Sequence, residues 1–186
     1  MRKTMAIITP WGKSDHQKSV CRGINWYATP RHGGLSIAKG FAEKNLSVQA
    51  LSRAIQFGNA YWYEEDELWG IPAYELYDIC CIIEEKDKEK YTKAYLLESI
   101  GRYHPEYALS VKENKLEKYI PMPALVIGQK IVLDTGAEYA IIENAKSGYI
   151  VTDKSNIRYR LKESQVKRIK KILFDEKTIW ENKLLS

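Results

Sequence analysis

The chain has 186 residues, enough for one ordinary domain or for a domain of about 120 residues with a smaller module attached. Hydrophobic residues make up 45% and aromatic residues 11%, which excludes extended disorder and provides for a packed core. The net charge of +5 is uneven: Lys146 to Lys171 holds nine Lys/Arg against Asp153 and Glu163, so that segment carries +7 and the remainder −2. Two surfaces with different partners are the expected consequence.

In chain order, Met5–Ile8 is too short an apolar run for a signal-peptide core, and it meets the turn Thr9-Pro10-Trp11-Gly12. Ser14 to Arg22 is polar and reads as a loop. Gly23 to Thr29 is predicted as a strand that Pro30 stops. Arg31-His32-Gly33-Gly34 then reads as a loop that needs glycine freedom at two consecutive positions. Ser36 is expected to cap a helix through Leu46, and Ser47 a second through Ile55, with Val48, Leu51 and Ile55 at helical spacing.

Tyr61-Trp62-Tyr63 has the composition of a strand. Glu64-Glu65-Asp66-Glu67 reads as a first helical turn, its carboxylates complementing the helix dipole. Pro72 starts or kinks a helix before Tyr74–Cys81. From Lys86 to Tyr103 the apolar residues, among them Tyr91, Ala94, Tyr95 and Ile100, follow the helical period, with Gly101 and Pro105 at its end. Glu106 to Tyr119 holds one more helix, and Pro121-Met122-Pro123 reads as a hinge.

After the hinge the period becomes two. Ile127–Leu133, Tyr139–Glu143, Tyr149–Thr152 and Arg158–Lys162 are predicted as short strands parted by turn residues. This meander resembles a small SH3-like barrel. The expected fold class is α+β, with a mixed helix and strand domain over 1–120, the barrel over 124–172 and a tail over 173–186. Apolar runs such as Ile79–Ile83 and Ala124–Ile127 fall far short of the roughly 20 residues that span a bilayer, so no membrane partner is expected. Cys21, Cys80 and Cys81 lack metal spacing and read as small buried hydrophobes in a reducing cytoplasm.

Three blocks carry candidate chemistry. In the first, His32 beside Gly33 and Gly34 offers a general base with close ligand approach, or part of a phosphate-holding nest. The plainer reading is a turn whose glycines take positive φ, and the lysine of a P-loop is missing. The second is Trp62-Tyr63-Glu64-Glu65-Asp66, whose carboxylates can bind Mg²⁺ and, with His32, would make a hydrolytic site. Consecutive helical residues diverge, however, so at most two of Glu64 to Glu67 can share one ion. The third is the basic run Arg158, Arg160, Lys162, Lys167, Arg168, Lys170 and Lys171, with Tyr149 and Tyr159 interleaved. Arg158, Arg160 and Lys162 alternate along a strand and share one face. Such a stripe tracks phosphates while neighbouring rings stack on bases; a merely solvated face is the alternative. Zinc, dinucleotide and Ser-His-Asp signatures are missing, so no metal, no cofactor and no catalytic residue is assigned, and the chain reads as a non-enzyme.

Taken together, Thr9-Pro10-Trp11-Gly12-Lys13, Thr29-Pro30-Arg31-His32-Gly33-Gly34-Leu35 and Trp62–Asp66 resemble a family of domains of unknown function carried by phages, plasmids and other mobile elements. That context in turn resembles the type II anti-CRISPR proteins, small inhibitors of Cas9. The resemblance implies a counter-defence protein in the cytoplasm of a bacterial host cell, with a host nuclease complex such as guide-loaded Cas9 as its partner. Many such inhibitors are acidic DNA mimics, whereas this chain is net positive, so the implied mode is docking onto the loaded complex with DNA or RNA touched by the basic barrel. Two other functions stay open on the residues alone: a DNA- or RNA-binding accessory protein, and a Mg²⁺-dependent hydrolase built on His32 and Glu64–Glu67.

Overall fold

The computed structural model describes residues 7–79, 82–145, 148–174 and 177–181. Met5, Ala6, Cys80, Cys81 and Lys146 lie outside them. The fold is mixed α+β, rich in strands and antiparallel throughout, and it divides into two compact units, residues 1–119 and 120–186. No helix among the described residues is long and apolar enough to cross a membrane.

The first unit opens with a two-stranded hairpin, β1 (Ile8–Thr9) and β2 (Gly12–Lys13). Then come β3 (His16–Cys21), β4 (Ile24–Ala28), β5 (Gly33–Ala38), α1 (Lys39–Asn45), α2 (Val48–Leu51), β6 (Ile55–Phe57) and β7 (Ala60–Glu64). The five larger strands form one sheet in the order β3-β4-β5-β7-β6. After it follow α3 (Gly70–Glu75), a 3-10 turn at Glu85–Asp87, α4 (Lys93–Tyr103) and α5 (Pro105–Lys112). Register and alternation place Ile24, Leu35, Ile37, Tyr61 and Tyr63 on one face of the sheet, all buried. Helix α1 packs on β5 and β7, and the Tyr63 hydroxyl donates to the Ala50 carbonyl of α2 at 3.2 Å.

Several expectations are corrected here. The polar stretch Ser14–Arg22 contains strand β3, because an edge strand needs apolar residues on only part of its surface. Ser36 caps nothing: it sits mid-strand opposite Asn25 and Trp62, and α1 begins only at Lys39. Ser47 does cap α2, accepting from the Ala50 N–H, but that helix stops at Leu51 and Ile55 belongs to β6. The helix expected from Lys86 starts at Lys93, where Thr92 caps it by accepting from the Tyr95 N–H at 3.2 Å. Glu64–Glu67 do not open a helix. Glu64 closes β7, and its Oε2 accepts from the Asp66 and Glu67 amides at 2.8 and 3.2 Å, making a turn ahead of α3.

The second unit comprises β8 (Lys130–Leu133), β9 (Glu138–Ala145), β10 (Gly148–Thr152), β11 (Arg158–Leu161), the short α6 (Glu163–Val166), β12 (Ile169–Phe174) and β13 (Lys177–Glu181). They form a single sheet in the order β11-β10-β9-β8-β12-β13. The sheet runs on through β12 and β13, over residues where the sequence reading places only the end of the barrel and a tail. Leu161 at one edge and Trp180 near the other share one core with Ile131, Ile141, Val151 and Ile172, so the sheet curls around its own inner face. Bulges assist the curl. The register shift around Lys170 lets both Ile169 and Ile172 reach the core, although a regular strand would put them on opposite faces. No pairing among the described residues joins β11 to β13 to close the sheet.

Candidate functional site

The motif residues of the first unit converge, and they do so as a packing device. Gly34, Tyr27, Trp62 and Glu64 share the sheet face opposite the helices, since Gly34 pairs with Tyr27 on one side and Glu64 on the other. The hairpin lays Trp11 across this face. Its ring meets Trp62 edge-on with centroids 5.8 Å apart, while Tyr27 approaches Trp62 at 5.3 Å and Phe57 at 6.4 Å. Trp62 is 4% exposed, and its indole N–H donates to the Phe57 carbonyl at 3.0 Å.

Neither Gly33 nor Gly34 has positive φ; both lie in β5. Their role is space. A Cβ on Gly34 would run into the Tyr63 carbonyl and come within 2.5 Å of the Trp11 ring. A Cβ on Gly33 would lie 2.6 Å from Glu65 Oε2. The loop before them is held by Thr29, whose hydroxyl accepts from the His32 amide at 3.1 Å and donates to the His32 carbonyl at 2.9 Å. Arg31, His32 and Asp66 are exposed. Glu64 spends one oxygen on its own turn, and its Oε1 is buried with no hydrogen-bond partner. Among the described residues no three His, Cys, Asp or Glu side chains gather as a metal site.

A second polar centre escapes the sequence reading. The Glu75 carboxylate of α3 accepts from the Ser47 amide (2.7 Å), the Ser47 hydroxyl (2.6 Å) and the Tyr107 hydroxyl of α5 (2.6 Å). Burial, then the Glu75 charge, push the Tyr107 phenol far above its usual range. The Glu75 carboxylate thus ties the cap of α2 and a residue of α5 to α3, joining three helices through one acceptor. The only sequence signal is an acid set among the apolar residues of Ile71–Leu76.

Residues 4–119 match a family model described as a domain of unknown function, DUF7007. The chain belongs to the DUF7007 family. No curated protein and no solved structure matches it. The Trp11, Gly34 and Trp62 cluster and the Glu75 node both fall within the DUF7007 unit, whereas the basic run lies beyond it.

That run sits on β11, α6 and β12. Leu161 turns into the core, so Arg158, Arg160 and Lys162 point from the opposite, outer face of an edge strand. The rings do not accompany them. Tyr149 is paired with Leu161 and packs against the core, and Tyr159 stacks edge-on with Tyr139 at 5.6 Å while its hydroxyl donates to Asp153 Oδ2 at 2.9 Å. The expected platform of cations beside stacking rings is therefore split between two faces.

Several of the charges are already matched. Arg158 pairs with Glu143 at 2.8 Å, Lys171 with Glu181 at 3.1 Å, and Arg168 grips both oxygens of Asp134 at 3.0–3.1 Å. That guanidinium holds the Asp134 carboxyl below the usual carboxylate range. Lys162, Lys167 and Lys170 have no acidic partner among the described residues, and the first two are exposed.

Proposed function

We propose that the chain is a binding protein, not an enzyme, and that it engages the phosphate backbone of DNA or RNA through the outer face of β11 and the lysines flanking α6. The observation that carries this reading is the pattern of matched and unmatched charge. Arg158, Arg168 and Lys171 are held by acids, while Lys162 and Lys167 present exposed ammonium groups without an acidic partner among the described residues. Neutralising phosphates releases condensed counterions, so such a surface binds with little regard to sequence and loses affinity with salt. With Tyr149 and Tyr159 turned to the core face, the contact is to the backbone and not to stacked bases.

We further infer that the second unit is an SH3-like barrel. The order β11-β10-β9-β8-β12, the short helix between β11 and β12 and the core shared by the two ends of the sheet support that reading. As for the partner, the proposal is a nucleoprotein in a bacterial cytoplasm, guide-loaded Cas9 in particular, with the chain acting as a mobile-element inhibitor. This narrower step rests on the motif resemblance.

Two measurements separate the steps. Fluorescence anisotropy of a short labelled oligonucleotide, titrated at rising salt, should give a linear fall of log affinity with log salt. The double variant Lys162→Ala/Lys167→Ala should make that slope shallower by about two. Absence of oligonucleotide binding at low salt would remove the phosphate reading. A Cas9 cleavage assay with the intact protein tests the partner: lost cleavage supports inhibition, and unimpaired cleavage leaves the accessory nucleic-acid binder.

A further inference from the structure

On the helix-covered side of the five-stranded sheet, opposite the Trp62 face, the DUF7007 unit holds a cavity of about 360 Å³. A cross-strand row makes its floor: Lys18 on β3, Trp26 on β4 and Leu35 on β5 are direct neighbours in register. Trp69 and Tyr91, edge to face at 5.9 Å, form a wall, and Ile82, Ile83 and the 3-10 turn close the remaining side. Seven of the ten lining residues are aliphatic or aromatic, and the volume falls at the small end of the roughly 300–1,000 Å³ of ligand pockets. Trp26, Trp69 and Tyr91 are each only half-buried, so all three rings keep surface for an occupant.

Two features set the chemistry of an occupant. The first is charge. Lys18 and Lys86 share Glu84 at 2.6 and 2.9 Å, Lys86 and Lys90 both act on Asp87, and Lys88 pairs with Glu85 at 2.7 Å. Lys18 and residues 84–90 together hold four lysines and four carboxylates, so the rim is neutral. An ion entering this cavity sheds hydration and meets no net countercharge, which favours an uncharged occupant. The second feature is a pair of unused donors. Trp62 and Trp180 donate their indole N–H groups to carbonyls at 3.0 and 2.8 Å, whereas those of Trp26 and Trp69 make no hydrogen bond among the described residues. Such an indole offers an apolar face for packing and a polar handle for an acceptor.

We propose that this cavity binds a small, uncharged, flat aromatic molecule that carries a hydrogen-bond acceptor. Its ring packs against Trp26, Trp69 and Tyr91, and its acceptor takes an indole N–H from Trp26 or Trp69. The site is independent of the β11 face and stands whether or not that surface binds phosphates.

The five tryptophans give the intact protein five indole N–H signals in a ¹H–¹⁵N NMR spectrum, and these read the site directly. Titration with coumarin, a neutral bicycle with a carbonyl acceptor, should shift the Trp26 and Trp69 signals saturably with a Kd below about 1 mM. The signals of Trp11, Trp62 and Trp180 should stay in place. The anion coumarin-3-carboxylate and the cation N-methylquinolinium should each bind weaker by about tenfold or more. The acceptor-free analogue 1,2-dihydronaphthalene should bind weaker by about fivefold. Val20→Phe, placed on β3 at the cavity lining, should fill the space and remove the coumarin shifts while Trp11, Trp62 and Trp180 keep their native signals. The arms on the unaltered protein decide the matter even if that variant does not fold. The proposal is overturned if coumarin gives no saturable shift at Trp26 and Trp69, if a charged or acceptor-free analogue binds as tightly, or if folded Val20→Phe retains binding. Tighter binding of N-acetyltryptophanamide than of coumarin overturns it in favour of a partner protein's aromatic side chain, and shifts of the same two signals on dilution alone in favour of a second copy of this chain.

Discussion

The two units bury their sheets by different means. In the DUF7007 unit helices cover one face of a five-stranded sheet, and Trp11 reaches over the other to seat on Gly34 and Trp62. In the second unit one sheet covers itself around a mainly aliphatic core, in which Trp180 joins Ile131, Ile141, Val151, Leu161, Ile169 and Ile172. The consequence is an exchange of roles. Residues that stand out in the sequence of the first unit, the Trp11 and Trp62 pair and the paired glycines, are consumed by packing. In the second unit packing falls mainly to aliphatic residues, with Trp180 the one tryptophan among them, and the conspicuous lysines stay at the surface for other work.

The sharpest way to break this contrast is Gly34→Ala. The added methyl meets the Tyr63 backbone and the Trp11 ring, so denaturant unfolding should show a loss of about 3 kcal/mol or more. Gly40 in α1 has open space around the same position, and Gly40→Ala should stabilise by up to ~1 kcal/mol. A neutral Gly34→Ala would refute the packing role of the motif. Next in size is Glu75→Ala, which strips the Tyr107 hydroxyl and the Ser47 amide of their acceptor and should cost about 2 kcal/mol in the same assay. In the second unit, by contrast, Lys162→Ala/Lys167→Ala should change stability by less than about 0.5 kcal/mol while flattening the salt dependence of binding.

The smallest effect is electrostatic and lies at the surface. Hydrogen bonds from Lys18 and Lys86 lower the Glu84 carboxyl from 4.5 to about 2. A depressed folded-state value means that this contribution is complete above pH 4.5 and fades as pH falls toward 2. Carboxyl titration by NMR should therefore find Glu84 still ionised at about pH 3, and Lys18→Ala should raise its midpoint.

Legibility from sequence followed locality. The alternation of β8 to β11 and the Ser47 cap depend on near neighbours, and they were readable as such. Gly33 and Gly34 were conspicuous, but the need for space comes from Trp11, Tyr63 and Glu65, which only the fold brings beside them. The Glu75 node has the same cause, with partners 28 and 32 residues away. Strand β3 was hidden by its polar edge position. Strand β12 was hidden because the register shift at Lys170 breaks the two-residue period and Lys170-Lys171 interrupts the apolar signal. Of the basic site, the shared face of Arg158, Arg160 and Lys162 was legible, while the inward turn of Tyr149 and Tyr159 was set by a core assembled from six strands.

The place of β12 in the sheet also governs how the second unit comes together. Strands β8 to β11 follow one another as neighbours and zip through local hairpins, but the free side of β8 must wait for β12, pairing Ile131 with Ile172 across the whole meander. Contacts of that sequence separation form late, because loop closure precedes their reward. Until then Ile169, Ile172 and Leu173 are an apolar segment without a sheet to join. Lys167, Arg168, Lys170 and Lys171 stand within and beside that segment as gatekeepers, and their mutual repulsion keeps waiting chains from pairing with one another.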